Sequence, residues 1–506
     1  FVTNRVLMPW IAEGIRAFDE GVATKADMDR GMKLGTNVPM GPLELADHIG
    51  LDICLDAMET LHEELGDRYQ PPYLLKRKVE AGDLVVQARQ PKARLVKVLL
   101  EPTTTIVDSL TYDITAWGLP YAYGLDAYAL PERLSVATQD AMPNASGGVQ
   151  GGSARPYAYL ARWSSRADAA FAASLLKQGV SVRFAEKPFA IGGETYAPGT
   201  LILTRAGNKD VAGFDQIVRQ AAQEHGQTLT AAETGFVSEG PDFGSSDVGF
   251  VEAPHVAVLS GPPTSSYSLG EIWHFFDQQI AYPLTLLPAD DFEAEMLEEI
   301  DVLILPDGRY GDWMTKARRE AVTGWIRGGG RLLAVGGANG ALAGTAPFSL
   351  QRAPSGDDEA GDNGDEDGGY ASADDDAGEG EALRRYGDRE RNRLLEATPG
   401  SIHRTRIDTS HPLGFGASDP YFTLKRSDAA YAYLEDGWTV VALEASEPVS
   451  GFMGADAQRT VDRSLVFGTE AIGDGQVTYL IDNPLFRGFW YSGHLLFSNA
   501  VFFVGN

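Results

Sequence analysis

Pro39-Met-Gly-Pro42-Leu-Glu44-Leu-Ala-Asp47-His-Ile-Gly50-Leu-Asp52 is the most strongly punctuated stretch near the start of this 506-residue chain. Pro42 suits the first turn of a helix, where its missing N–H costs nothing. Gly50 followed by Asp52 predicts a break and a fresh N-cap before the run to Leu65. Upstream, Leu7, Ile11, Ile15 and Phe18 recur at the spacing of one helix face. Thr24 with Asp27 has the form of a capping box that opens a second helix, which Gly35 would end. Residues 1–84 therefore read as an all-α domain. The single cysteine, Cys54, falls in an apolar helical pattern and reads as a buried, inert thiol. One cysteine excludes a disulfide scaffold and any Cys-based zinc site.

Beyond Asp83 the texture changes, and Val85–Leu100 reads as β-rich, with Arg94–Leu100 as one such run. Asn144–Ser153 is Gly/Ser-rich and reads as a loop or linker. Strand and helix then alternate: Tyr157–Trp163, a helix over Ala167–Lys177, Val180–Phe184, Leu201–Thr204, and a helix over Phe214–His225. A second α/β unit begins at His255, with strands Val256–Leu259, Val302–Pro306 and Arg331–Val335. Helices over Leu269–Gln279 and Lys316–Arg327 lie between those strands. Strands near Thr439–Leu443 and Gln476–Ile481 and a helix over Gly493–Phe503 close the chain. The expected architecture is multidomain: the helical domain 1–84, an α/β domain over 85–250, and a doubly wound parallel sheet over 251–506.

Acidic residues outnumber basic ones 71 to 42, for a net charge of -29. About twelve of the acidic residues lie in Ser355–Glu381, which has no basic residue and reads as a disordered insert. Such a surface repels phosphates and anionic lipid, so neither nucleic acid nor membrane is an expected partner. It fits a halophilic protein working in high salt, or an ordinary acidic protein with an acidic loop. No apolar run reaches the length of a membrane span. The chain opens at Phe1 without a signal-peptide pattern, and Phe1 reads as the cut end of something longer.

Phe1-Val-Thr-Asn4-Arg5, Asp19-Glu-Gly21-Val-Ala-Thr24 and the Pro39–Asp52 motif together resemble the C-terminal helical domain of 3-hydroxyacyl-CoA dehydrogenases of the 3-hydroxybutyryl-CoA type. The resemblance implies fatty-acid or butanoate metabolism in the cytoplasm, an acyl-CoA substrate and a homodimer through residues 1–84. In that family an NAD-binding Rossmann half carries a His–Glu base, and an Asn of the helical domain bonds near the reacting oxygen. Asn4 matches that Asn in a supporting catalytic role; it is also placed to cap the first helix. No strand followed by GxGxxG occurs, and the Gly clusters at 147–152 and 328–340 have the wrong spacing. His48 and His62 read as surface or packing residues. The family's Gly-rich final segment is missing past Leu84. The expectation is a substrate and dimer part that binds no cofactor by itself, uses NAD only where a Rossmann half is supplied, and is inactive alone.

Leu110-Thr-Tyr112-Asp113-Ile-Thr-Ala-Trp117-Gly-Leu-Pro120 and Asp482-Asn-Pro484-Leu-Phe-Arg487-Gly-Phe-Trp490-Tyr491 make residues 85–506 similar to the non-catalytic region of large bacterial zinc carboxypeptidases. Those proteins are usually exported and end in an amidotransferase-like domain. Peptidase chemistry needs zinc ligands and a base, yet none of the eight histidines has Glu three residues later. His255, His274, His403, His411 and His494 read as ordinary polar or packed side chains, so no metal site is expected. Gly336-Gly-Ala338-Asn-Gly340 has the shape of a nucleophile elbow with Ala338 at the reactive position. Asp307 and Arg309 read as ligand groups at a strand end or as a loop ion pair. Phe486, Phe489, Trp490 and Tyr491 read as a binding platform or a core-sealing patch. Both halves together describe a composite chain, a fragment, fusion or assembly artefact rather than a bifunctional enzyme.

Overall fold

A computed structural model describes residues 2–19, 22–36, 38–49, 51–65, 86, 90–101, 116–128, 147–353 and 386–505. The 355–381 insert and the expected junction near 83–85 lie outside them. The described residues fall into two compact units, one up to Ala93 and the other holding nearly all from Arg94 on. No helix among them is long and apolar enough to cross a membrane.

The first unit is helical: α1 (Val2–Asp19), α2 (Lys25–Thr36), α3 (Pro42–Ile49) and α4 (Leu51–Leu65). Thr24 accepts from the Asp27 amide and donates its hydroxyl to the Asp27 carboxylate, so the capping box opens α2 as its spacing predicts. Gly35 lies inside that helix, which continues to Thr36. Ile11 and Ile15 of α1 pack with Leu43, Ala46, Cys54, Leu55, Met58 and Leu61. Cys54 is a buried free thiol.

In the second unit Ala93–Leu100 forms a helix, α5, where Arg94–Leu100 had read as β-rich. Ala93, Val96 and Leu99 are its half-buried positions, three apart, so the period is helical despite two valines. Leu119–Tyr123 forms the short α6. The expected linker also differs, because Gly148–Gln150 is a strand, β1. A Cβ on Gly147 would meet the Ala222 carbonyl oxygen at 1.9 Å, so that glycine serves close backbone approach rather than flexibility.

β1 edges a six-stranded sheet with β2 (Ala158–Ala161), β3 (Val182–Ala185), β6 (Leu201–Thr204), β7 (Thr228–Ala232) and β8 (Val248–Val251). Its order is β1-β7-β2-β6-β3-β8, and only the β1–β7 pair is parallel. A hairpin of β4 (Phe189–Ile191) and β5 (Glu194–Tyr196) stands apart. α7 (Arg166–Lys177) and α8 (Phe214–Glu224) complete this part.

The larger sheet begins with β9 (Val256–Ser260), α9 (Ser266–His274), β10 (Thr285–Pro288), β11 (Val302–Leu305), α10 (Lys316–Arg327) and β12 (Arg331–Val335). After α11 (Arg389–Glu396) come β13 (Gly400–Ile407), β14 (Tyr421–Lys425), β15 (Trp438–Ala442) and β16 (Ser450–Phe452). α12 (Ala455–Val461), β17 (Leu465–Ile472), β18 (Gly475–Leu480) and α13 (Tyr491–Phe502) finish it. Five strands, in the order β10-β9-β11-β12-β18, are parallel. Their side chains alternate between two cores: Val256 and Val258 enter one, Ala257 and Leu259 the other. That double burial is why these strands read as unbroken apolar runs. Beyond β18 the sheet continues antiparallel through β17, β15, β13 and β14. The doubly wound part is thus half of a mixed sheet. α13 is buried on almost every side, and Asn499 fixes it by accepting from Trp163 Nε1 and donating to the Leu413 and Phe415 carbonyls.

Candidate functional site

Asn4 falls in the first turn of α1. The conserved-looking geometry of the helical unit lies at α2–α3. Asp29 of α2 is buried, and its carboxylate accepts from the Leu43 amide at 2.9 Å and the Glu44 amide at 3.1 Å. These are the N–H groups a helix start leaves free, so Asp29 caps α3 from a neighbouring helix. Gly41 makes this possible, since a Cβ there would meet the Asp29 Cα at 2.4 Å. A groove of about 580 Å³ runs along the same face. Its charges cancel pairwise: Lys25 binds Asp47 and Lys33 binds Glu44. The Lys33 hydrogen bond holds the Glu44 carboxyl below its ordinary range, against a smaller opposing effect of burial. His48 is exposed on α3, and His62 is half-buried on α4.

In the α/β unit, β10-β9-β11 puts the topological switch between β9 and β11, whose carboxyl ends form the usual ligand crevice of such sheets. Asp307, just after β11, accepts from the Gly337 amide at 2.7 Å. Its own amide donates to Ser268 of α9. Arg309 is exposed, and no ion pair joins it to Asp307 among the described residues. Ala338 is fully buried in a 3₁₀ turn, Gly336–Ala341. Its neighbour Asn339 donates to the Ala334, Gly336 and Leu480 carbonyls. This turn ties β12 to β18 and has no nucleophile to present.

The motif after β18 is an anchor. Asp482 accepts from Thr423 Oγ1 at 2.8 Å and Lys425 Nζ at 3.3 Å, and the Lys425 side chain is wholly buried. Asn483 and the Arg487 amide both donate to Glu271 of α9, while burial raises that carboxyl. Trp490 donates to the Phe422 carbonyl and is 1% exposed, and Phe486 is buried as well. These rings seal a core and form no platform. His403 bonds Ser401 at 2.8 Å with both side chains buried, and burial pushes its pKa down to about 3. His411 accepts from the Leu413 amide and is lowered to about 4 by burial. His255 bonds the Glu299 carbonyl. Among the described residues no three His, Cys, Asp or Glu side chains gather as a metal site.

Residues 1–92 match the family described as 3-hydroxyacyl-CoA dehydrogenase, C-terminal domain. Over 83 residues the chain is 58% identical to a probable 3-hydroxybutyryl-CoA dehydrogenase of Bacillus subtilis, covering 16% of this chain and 29% of that protein. A protein of the same description from Deinococcus radiodurans is 57% identical over 83 residues, 16% of this chain and 30% of its own length. The solved (S)-3-hydroxybutyryl-CoA dehydrogenase of Ralstonia eutropha is similar at 49% identity over 16% of this chain and 29% of that one, with a TM-score of 0.16. The chain thus spans about 30% of the length of these relatives.

Proposed function

We propose that residues 1–92 serve as the substrate-side and dimerisation part of an NAD-dependent 3-hydroxyacyl-CoA dehydrogenase. The observation that carries this reading is the 57–58% identity over 83 residues to 3-hydroxybutyryl-CoA dehydrogenases, in a segment that includes Asn4 and the Asp29–Gly41–Pro42 joint. In this reading NAD and the His–Glu base belong to a Rossmann half supplied by other sequence. Asn4 contributes an amide that hydrogen-bonds beside the reacting oxygen without changing charge at neutral pH. Asp29 keeps α3 in register with α2, so that helices carrying the acyl-CoA contacts keep one geometry.

The test mixes the full chain with the NAD-binding half of a 3-hydroxybutyryl-CoA dehydrogenase and follows NADH oxidation by acetoacetyl-CoA. Activity that falls by about 10²-fold in Asn4→Ala supports the role, as expected for loss of one well-placed donor. Equal activity in Asn4→Ala removes Asn4 from the chemistry, and no activity in the mixture counts against the whole reading.

For residues 251–506 the second reading is an amidotransferase-like module without catalysis, of the kind that follows the catalytic domain in zinc carboxypeptidases. Buried Ala338 at the elbow position favours it. An Ala338→Cys variant that gained glutaminase activity would contradict the reading, because a buried turn cannot present its side chain to a substrate.

A further inference from the structure

Near the first turn of α13, charged and polar side chains from four elements come together without satisfying one another. His494 is 1% exposed, yet neither ring nitrogen has a hydrogen-bond partner. Helix side chains lean toward the N-terminus, and this ring packs against Tyr491, one turn earlier, with centroids 5.1 Å apart. Phe275 closes its other side edge-on at 5.7 Å. Arg166, the first residue of α7, lays its guanidinium 4.9 Å over the same Tyr491 ring. It makes no hydrogen bond or ion pair among the described residues.

His274 ends α9, and a π-helical turn over Phe275–Gln279 follows it. Such turns re-aim a side chain by one inserted residue and recur at functional sites. Here the turn brings Gln279 Nε2 to 3.4 Å from His274 Nδ1 and leaves Gln279 Oε1 buried without a partner. Tyr123, 40% exposed and stacked on Tyr491 at 4.5 Å, marks the side open to solvent.

The electrostatics of this niche run against those of the whole protein. Burial first, then the charges of Arg166 and His274, lower the His494 pKa to about 3, so its ring is neutral and offers one donor and one acceptor. Glu271, one turn before His274, is already engaged by Asn483 and the Arg487 amide. α13 adds the positive end of its dipole, and its cap residue Trp490 supplies no side-chain acceptor. A chain of net charge -29 therefore keeps here a cation without a counter-charge beside a buried imidazole.

We propose that Arg166, His494 and Gln279 form a binding site for a small carboxylate that carries a hydrogen-bond donor next to the acid group, an α-amino or α-hydroxy acid. The guanidinium fork matches a carboxylate in plane, in the geometry that makes such pairs strong. One His494 N–H donates to a carboxylate oxygen, and Gln279 Oε1 accepts from the neighbouring amino or hydroxyl group. His274 holds the Gln279 amide in place. This site is separate from the dehydrogenase reading and stands or falls without it.

The experiment is calorimetric titration of the full chain, at constant ionic strength, with glycine, glycolate, acetate and inorganic phosphate. Saturable one-to-one binding of glycine or glycolate, with acetate weaker, is the expected result. Arg166→Gln weakens that binding at least about tenfold, the worth of one charge-assisted pair, and leaves the ligand-free melting temperature unchanged because Arg166 has no partner to lose. Gln279→Leu removes the preference over acetate while acetate still binds. No saturable carboxylate binding, binding unchanged in both variants, or binding of phosphate alone would overturn the assignment.

Discussion

The two units bury carboxylates in different ways. Asp29 in the helical unit is held by backbone amides 14 and 15 residues away, at the start of the next helix but one turn of chain. Asp482 in the α/β unit is held by the side chains of Thr423 and Lys425, 59 and 57 residues back on β14. The first arrangement needs only a short contiguous run, Pro39–Asp52, plus one aspartate on α2. The second needs two strands and a loop brought together by the whole sheet. A short segment can therefore keep its geometry when joined to unrelated sequence, whereas the α/β anchor exists only in the finished fold.

The sharpest way to break this contrast is Lys425→Met. It leaves the buried Asp482 carboxylate without its counter-charge and is expected to cost about 3–5 kcal/mol in denaturant unfolding of the α/β unit. Replacing Asp482 by Leu as well should recover much of the loss, because a buried pair contributes less than breaking it costs. A single-variant loss under about 1 kcal/mol would place the pair on the surface in energetic terms.

Acid should separate the units next. Burial lowers His403 to about 3, His411 to about 4 and His494 to about 3, from an ordinary 6.5. Between those values the unfolded chain binds more protons than the folded one, so stability rises with pH across that window. The α/β unit should hold full stability above about pH 7 and lose it progressively toward pH 4. Melting curves at stepped pH check this, and His403→Gln should flatten the slope. A flat wild-type profile would contradict the burial of all three.

The smallest expected effect is local. Asp29→Ala removes the α3 cap and should cost about 1 kcal/mol, read as faster hydrogen exchange at the Leu43 and Glu44 amides. Unchanged exchange at both would dissolve the joint at the centre of the helical unit.

What the sequence made legible follows the same division. The helical starts at Lys25 and Pro42 come from local chemistry, a capping box and a proline, and stand where that chemistry puts them. The parallel strands were readable because both faces are apolar, and α10 and β12 fall on the residues their patterns mark. The antiparallel half escaped notice because its buried face is polar: Ser401, His403 and Thr405 on β13, Thr423 and Lys425 on β14. Hydrophobic alternation cannot report a strand that buries serine, histidine and lysine.

The carboxylate niche was illegible for another reason, since Arg166, Gln279 and His494 are scattered along the chain and meet only through three helices. One signal was present. His494 is the single titratable residue in the apolar run Gly493–Phe503, and a lone imidazole inside such a run needs a partner or a purpose. The Asn4 assignment rests on motif matching, which geometry at α2–α3 supports only through the integrity of the unit.

The central claim is that the N-terminal helices are an interchangeable dehydrogenase part. Grafting residues 1–84 in place of the matching segment of the Bacillus subtilis 3-hydroxybutyryl-CoA dehydrogenase, and assaying NADH-linked reduction of acetoacetyl-CoA, tests it directly. The account predicts an active dimer whose kcat falls by about 10²-fold on Asn4→Ala. A chimera that folds and dimerises but turns over no substrate would contradict it.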